Sequence, residues 1–247
     1  GTTNYILTKV CEEGIGYEPA LQQAQELGFA ESDPTLDVEG YDALYKLAIT
    51  AAHAFGLIIN PYDIFRYGIP TMEAADIRYA TEKGLRVKLL ASAVKHEGQL
   101  QLMVIPEMVT AESPLFVTNN EFNAVEVEAV FSERQFFRGK GAGSHPTGSA
   151  VFSDVSAYTY DYKYGYKKRQ SEGQQLVFKN DEVIEIYLRA KKPETLEQFP
   201  FRSIHQRHHD YDQAIHYVVG EIALNELMAT EALRSPEVFL AKTANGA

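Results

Sequence analysis

The stretch Arg86-Val87-Lys88-Leu89-Leu90-Ala91-Ser92-Ala93-Val94 is followed by Lys95-His96-Glu97-Gly98 and then by Gln99-Leu100-Gln101-Leu102-Met103-Val104-Ile105. Two short apolar runs around His96-Glu97-Gly98 predict a β-hairpin, because Gly supplies the backbone freedom that a tight turn requires. Upstream, the hydrophobic period is helical. Asn4 to Glu13 carries Tyr5, Ile6 and Val10 and stops at Gly14; Tyr17 to Leu27 carries Leu21, Ala24 and Leu27 and stops at Gly28. Gly40 to Phe55 places Ala43, Leu44, Leu47, Ala48, Ala51 and Phe55 on one face, and a fourth helix is predicted from Met72 to Lys83.

Downstream, Ala124 to Phe131 alternates and predicts a strand, Gln135 to Phe137 another, and Thr147 to about Ala157 a helix. Tyr158, Tyr160, Tyr162, Tyr164 and Tyr166 have period two, which fits a strand, while a helix continuing from Ala157 fits as well. Lys167 to Gln175 is polar and marks the best boundary. Beyond it come predicted strands at Val183–Ala190, Ile204–His209 and Ala214–Val219, a helix at Leu224–Leu233 and a strand at Val238–Ala241. The expected class is α/β of the α+β type. Helices pack on a largely antiparallel or mixed sheet over 1–172, and a small α+β unit follows over 173–247.

A length of 247 residues fits one large domain or one plus a small one, at about 150 residues per domain. Lys+Arg 23 against Asp+Glu 34 gives a net charge of −11 without a basic stripe, so neither nucleic acid nor an anionic membrane is an expected partner. No apolar run approaches the roughly 20 residues of a membrane span. Cys11 is the one cysteine, which excludes an intrachain disulfide and a CxxC site and fits a reducing, cytoplasmic compartment. The chain opens on Gly1 and enters a helix at once, as a piece of a longer protein would.

The densest polar signal runs from Glu31 to Lys46, with five carboxylates (Glu31, Asp33, Asp37, Glu39, Asp42) and one lysine in sixteen residues. Asp33-Pro34 predicts extended or turn geometry, with no helix before Asp37. Asp37 has two readings: N-cap of the helix that follows, or ligand for a substrate ammonium. Asp42 and Lys46 are i and i+4 on that helix. They are either a surface ion pair or a proton-transfer lysine, partly desolvated, with the aspartate that holds it. Excess carboxylate suits a cationic or zwitterionic small molecule. Arg138-Gly139-Lys140-Gly141-Ala142-Gly143 lies between a predicted strand and a predicted helix, a setting for a tight turn or for an anion at a helix N-terminus, but it is not a complete GxGxxG unit. His205, His208, His209 and His216 with Asp210 and Asp212 match no closed zinc set and read as surface histidines, so no metal is expected. Cys11 reads as a small core residue.

Gly1-Thr2-Thr3-Asn4-Tyr5-Ile6-Leu7, the block from Ala24 to Leu47 containing Glu31-x-Asp33-Pro34-x-x-Asp37-Val38-Glu39-Gly40-x-Asp42-x-x-x-Lys46, Asn123-Ala124-Val125, and Gly141-Ala142-Gly143-x-x-Pro146-Thr147-x-x-x-Val151-x-x-Asp154 together resemble the substrate-binding and catalytic part of homoserine dehydrogenases over about residues 1–160. The resemblance implies NAD(P)-dependent interconversion of L-homoserine and L-aspartate 4-semialdehyde, on the way to threonine and methionine. It implies that Lys46 handles the hydroxyl proton and that Asp42 positions it. Glu31 and Asp37 then surround the substrate amino group, and Gly1 and Thr2 form the turn beside the substrate. Gly141, Ala142, Gly143 and Thr147 touch the nicotinamide nucleotide, whose main binding domain and second important lysine the family carries ahead of Gly1. Phe29 stands where many members have Tyr, which removes a hydroxyl. The tail resembles an ACT domain whose first helix is cut out, since Lys191 to Pro200 is short and proline-bounded; a packing or dimerisation extension is the alternative. A homodimer acting on an amino-acid substrate is expected. The rival from another class is a non-catalytic amino-acid-binding or regulatory module.

Overall fold

A computed structural model describes residues 1–141, 143–163, 165 and 176–244. At its centre is the hairpin of β2 (Arg86–His96) and β3 (Gln99–Val109), with β1 (Phe65–Arg66) preceding them in the chain. Its register runs from Arg86↔Val109 to His96↔Gln99. Glu97 and Gly98 both have positive φ (47° and 79°), the backbone of a tight two-residue hairpin turn.

The other edge of β3 is shared in sequence by three parallel strands. With β4 (Phe122–Ala129) and β5 (Glu133–Lys140) forming a separate hairpin, they are β6 (Val177–Phe178) beside Gln99–Leu100, β1 beside Met103–Val104, and the last strand beside Glu107. The tail supplies β7 (Val183–Ala190), β8 (Ser203–Asp210), β9 (Ile215–Ala223) and β10 (Val238–Lys242), paired antiparallel in the order β10-β7-β9-β8. Because β10 pairs with both β3 and β7, one eight-stranded mixed sheet runs through both parts of the chain.

The helices α1 (Thr2–Glu13), α2 (Tyr17–Glu26), α3 (Thr35–Val38), α4 (Tyr41–Phe55) and α5 (Ala74–Glu82) come before the central hairpin. Period-two alternation assigns each face of the sheet. Leu100, Leu102 and Val104 meet Leu44, Leu47 and Ala51 of α4, while Met108, Tyr187 and Phe239 meet Ile6, Val10 and Ile77 of α1 and α5. Met103, Ile105, Ile186, Leu188 and Leu240 face the opposite way. They pack under the tail's short helices, which, after α6 (Ser144–Thr159), are α7 (Pro193–Leu196) and α8 (Leu224–Ala229).

Several expectations are corrected. Helix starts at Thr35, because Asp33 accepts from the Thr35 N–H (3.1 Å) and hydroxyl (2.6 Å) and so caps the turn across Pro34. Asp37 therefore lies inside α3, and the N-cap of α4 is Gly40, in the left-handed region. The helix expected to Leu233 breaks at Thr230 and resumes as a 3-10 turn over Glu231–Arg234. α6 runs through Thr159, so Tyr158 is helical; Tyr164, Tyr166 and the boundary at 167–175 lie outside the described residues. No described helix is long and apolar enough to cross a membrane.

A buried ion pair ties the two parts of the chain together. Asp76 and Arg189 are both 0% exposed, and Arg189 Nε donates to Asp76 Oδ1 at 2.8 Å. The Tyr187 hydroxyl donates to the same oxygen, and the Glu73 N–H to the other. These donors and the guanidinium hold the carboxylate against a burial that pushes its pKa up. Asp76→Ala should cost about 3–5 kcal/mol, since it strands a buried guanidinium. Asp76→Leu combined with Arg189→Met should cost less than the sum of the single changes; urea unfolding of wild type, the three single variants and the double variant measures both.

Candidate functional site

The site is built around the first turn of α1. Thr2 Oγ1 donates to the Phe29 carbonyl (2.6 Å), and Gln25 Nε2 to the Glu31 carbonyl (3.0 Å), which brings the start of the acidic segment beside Thr2. Asn4 Nδ2 donates to the carbonyls of Thr118, Asn120 and Phe122 at 2.9, 3.2 and 2.9 Å, fixing the loop that leads into β4. The next residue of that strand, Asn123, accepts from the Gly1 amine at 2.8 Å. Burial lowers the pKa of that amine. Lys46 pushes it the same way, while Asp37 and Asp42 pull it up, so all three charged groups stand around Gly1.

On α4, Lys46 Nζ donates to Asp42 Oδ2 at 2.6 Å. The lysine side chain is 72% exposed, so the expected partial desolvation of Lys46 is not present in this chain. Glu31 is exposed and joins the cluster through its backbone. On the far side of Asn123 lies the glycine loop. A Cβ at Gly141 would come within 2.5 Å of Asn123 Nδ2, so a side chain there displaces the asparagine. Gly143 caps α6 with no side-chain hydrogen bond, Thr147 is exposed in the first turn, and Ala142 lies outside the described residues. Gly1, Asn123 and Gly141 are thus neighbours, and the charges of Asp37, Asp42 and Lys46 lie near enough to act on Gly1; together they make the candidate mouth. Its side-chain chemistry is two carboxylates and the Lys46 ammonium, near the open N-terminus of α6.

The homoserine dehydrogenase family model matches residues 1–156. The chain is 40% identical over 165 residues to homoserine dehydrogenase of Bacillus subtilis, covering 67% of this chain and 38% of that protein. It is 44% identical over 160 residues to the enzyme of Mycobacterium tuberculosis, covering 63% and 36%. The chain belongs to the homoserine dehydrogenase family. It spans well under half the length of these curated relatives. Among solved structures, a homoserine dehydrogenase from Thiobacillus denitrificans superposes with a TM-score of 0.78 at 28% identity, over 99% of this chain and 62% of that one. A hyperthermophilic archaeal homoserine dehydrogenase mutant in complex with NADPH gives 0.52 at 28% identity, over 66% and 46%.

Within this homoserine dehydrogenase segment, sequence reasoning passed over three residues. Asn4 and Asn123 stand in the quoted motifs, but their roles as clamp and hinge depend on contacts more than 100 residues apart. Lys88 sits inside an apolar strand run and is 6% exposed. It donates to Asn4 Oδ1 (2.9 Å), the Thr118 carbonyl (2.7 Å) and Asn119 Oδ1 (3.2 Å). A lysine whose three protons meet three neutral oxygens has its charge solvated but not paired. The histidine reading needs one correction. His205 is an exposed partner of Glu185, but His216 is buried at 2% exposure, its Nδ1 3.3 Å from that of His209, and burial lowers its pKa. No described group of three ligand-type residues forms a metal site. Cys11 is partly buried, and burial raises its thiol pKa.

Lys88 gives a pH prediction. Burial pushes its pKa down from 10.5 to about 8, with the charges of Cys11, Glu12 and Arg86 acting on it more weakly. Between those values the unfolded chain binds more protons than the folded one, so this group makes stability rise with pH across the window. Denaturant unfolding of wild type and Lys88→Met from neutral to alkaline pH should show that rise in the wild type alone, once the shared background is subtracted.

Proposed function

We propose that residues 1–172 form the substrate half of an NAD(P)-dependent homoserine dehydrogenase, interconverting L-homoserine and L-aspartate 4-semialdehyde, and that 173–247 form an ACT-like or dimerisation unit. The observation that carries the reading is the convergence of Lys46, Asp42 and Asp37 on Gly1. Asp37 and Glu31 offer carboxylates to the substrate ammonium. Lys46 Nζ takes the hydroxyl proton, and Asp42 fixes the ammonium group by a charge-assisted bond. The backbone at Gly1 and Thr2 shapes the turn against the substrate, and Asn123 keeps that turn against the glycine loop. When bound, NAD(P) accepts or returns the hydride. The described residues that fit it here are Gly141, Gly143 and Thr147, at the open N-terminus of α6, and the resemblance adds Ala142. The described residues contain no parallel strand–glycine loop–helix–strand unit, because β5 belongs to a two-stranded hairpin of its own. These residues therefore supply one edge of a cofactor site.

The order β10-β7-β9-β8, with α7 and α8 in the two crossovers, is the split β-α-β pattern with its first helix reduced to one turn, and it supports the ACT-like reading. A cytoplasmic homodimer acting on a small amino acid, without nucleic acid or membrane, fits the acidic chain and its lone cysteine. The rival is a non-catalytic amino-acid-binding or regulatory module, and the exposure of Lys46 favours it for this chain alone, since proton transfer there competes with bulk water.

Two measurements separate the readings. The 247-residue chain should bind L-homoserine but show no appreciable turnover with NAD(P), because nothing brings hydride donor and substrate together. Residues 1–156 grafted in place of the matching segment of the Bacillus subtilis enzyme should be active. In that graft Lys46→Ala should lower kcat by roughly 10²–10⁴, and Lys46→Arg should restore little. A graft whose kcat survives Lys46→Ala sinks the proton-transfer role.

A further inference from the structure

Behind the acidic segment, on the side away from Lys46, lies a cleft of about 470 Å³. One wall comes from residues 39–71 and the other from the tail, where Met228, Leu233, Arg234 and Ser235 face across it. The charged residues lining it are Glu39, Arg66 and Arg234, one carboxylate against two guanidinium groups, so the cleft is net positive in a chain of net charge −11. Leu44, Ile64, Phe65, Pro70 and the ring of Tyr41 give the first wall its apolar part, and Tyr62, Tyr67 and Thr71 add hydroxyls to it.

Arg66 is held as a flat plate. Its guanidinium carbon lies 3.7 Å from the centroid of the Tyr41 ring, and Nη1 donates to the Glu39 carbonyl and, at 3.2 Å, to Glu39 Oε2. Its other N–H groups have no partner among the described residues. A planar guanidinium fixed by stacking presents its remaining donors edge-on, the geometry that receives a carboxylate fork. Arg234 is exposed on the opposite lip. An inorganic anion would leave the apolar walls wet, whereas an acid with an apolar body covers them.

We propose that this cleft binds a small organic carboxylate with an aromatic or branched apolar body, its acid group between Arg66 and Arg234. The occupant is coupled to the mouth on the other side. A Cβ at Gly68, on the cleft floor, would overlap the Val38 carbonyl, and the Ile69 N–H donates to that carbonyl at 2.9 Å. Val38 and Glu39 are therefore both the back wall of the cleft and the link between Asp37 and the helix carrying Asp42 and Lys46. A carboxylate on the free N–H groups of Arg66 loads the same guanidinium whose Nη1 holds the Glu39 carbonyl, so its binding is felt at that link. The proposal does not rest on the dehydrogenase reading; a chain without homoserine affinity tests it equally.

The probe is benzoate, titrated into the 247-residue chain and followed by amide and side-chain NMR up to about 10 mM, which detects sites of millimolar Kd. Saturable shifts at Tyr62, Leu233 and Arg66 that extend to Asp42 are expected. Arg234→Ala, an exposed change with little consequence for folding, should weaken binding about tenfold, as loss of one charge-assisted contact does. Benzyl alcohol should bind at least tenfold more weakly than benzoate. The proposal is overturned by no saturable shift, by equal binding of benzoate to Arg234→Ala, by equal binding of the alcohol, or by inorganic phosphate giving the same shifts at the same affinity.

Discussion

Arg189 and Asp76 have no access to water, and each tolerates that burial only because of the other. Asp76 is the third residue of α5, where one of its oxygens already accepts the Glu73 N–H. Its other oxygen faces Arg189 on β7, and Arg189 Nη2 goes on to the Thr71 carbonyl at 2.7 Å. Lys191 of the same tail segment bonds Glu73 at 2.6 Å. A helix start in the first third of the chain is thereby fixed to a strand more than a hundred residues later. β7 has one register in which Arg189 meets Asp76, and that register points Ile186 and Leu188 to the opposite face, under α7 and α8. The pairing of β10 with both β3 and β7 follows from the same placement.

From this frame the mouth is reached through polar clamps rather than through the core. α1 packs Tyr5, Ile6, Leu7 and Val10 into the core beside α5, which sets the helix and leaves Gly1, at the head of its N-terminal turn, exposed. Asn4 and Lys88 then hold the loop at 118–122 to that turn with six hydrogen bonds between them, one being the bond from Lys88 to Asn4. The reach of Asn123 to Gly1 is a consequence. A polar clamp suits a site that must present backbone to a small substrate, because an apolar contact would place side chains where the substrate sits.

Local signals read well from sequence. His96-Glu97-Gly98 indicated the central hairpin, the glycines at 14 and 28 coincide with helix ends, and the tail's four strands fall where alternation placed them. What was not legible depended on partners far away in the chain. Nothing local shows that β3 would share one edge among β6, β1 and β10, since each pairing is two residues or fewer. Thr35 begins a helix right after Pro34 because the proline rule restrains only Asp33, whose carboxylate accepts from the Thr35 N–H and hydroxyl. His216 was read with its exposed neighbours, although alternation on β9 turns its side chain inward beside Val218. Of the mouth, the acidic block and the glycine loop were visible as motifs. The asparagines and the lysine that unite them were not, because their function is a set of long-range bonds.

The two lysines nearest this mouth show how environment divides labour between identical side chains. Lys46 is exposed and paired with a carboxylate one helical turn away, so its ammonium is hydrated and held on one side alone. Lys88 is buried, with no carboxylate among its three hydrogen-bond acceptors, so its charge is held by backbone and amide oxygens alone. A proton-transfer group must exchange its proton with a substrate during turnover, and Lys88 cannot do so without leaving one acceptor facing a lone pair and loosening the loop that carries Asn123. A clamp must keep one geometry, and Lys46, with most of its side chain in water, has no fixed surroundings to enforce one. The architecture therefore belongs to Lys88, and under the proposed function the proton transfer falls to Lys46.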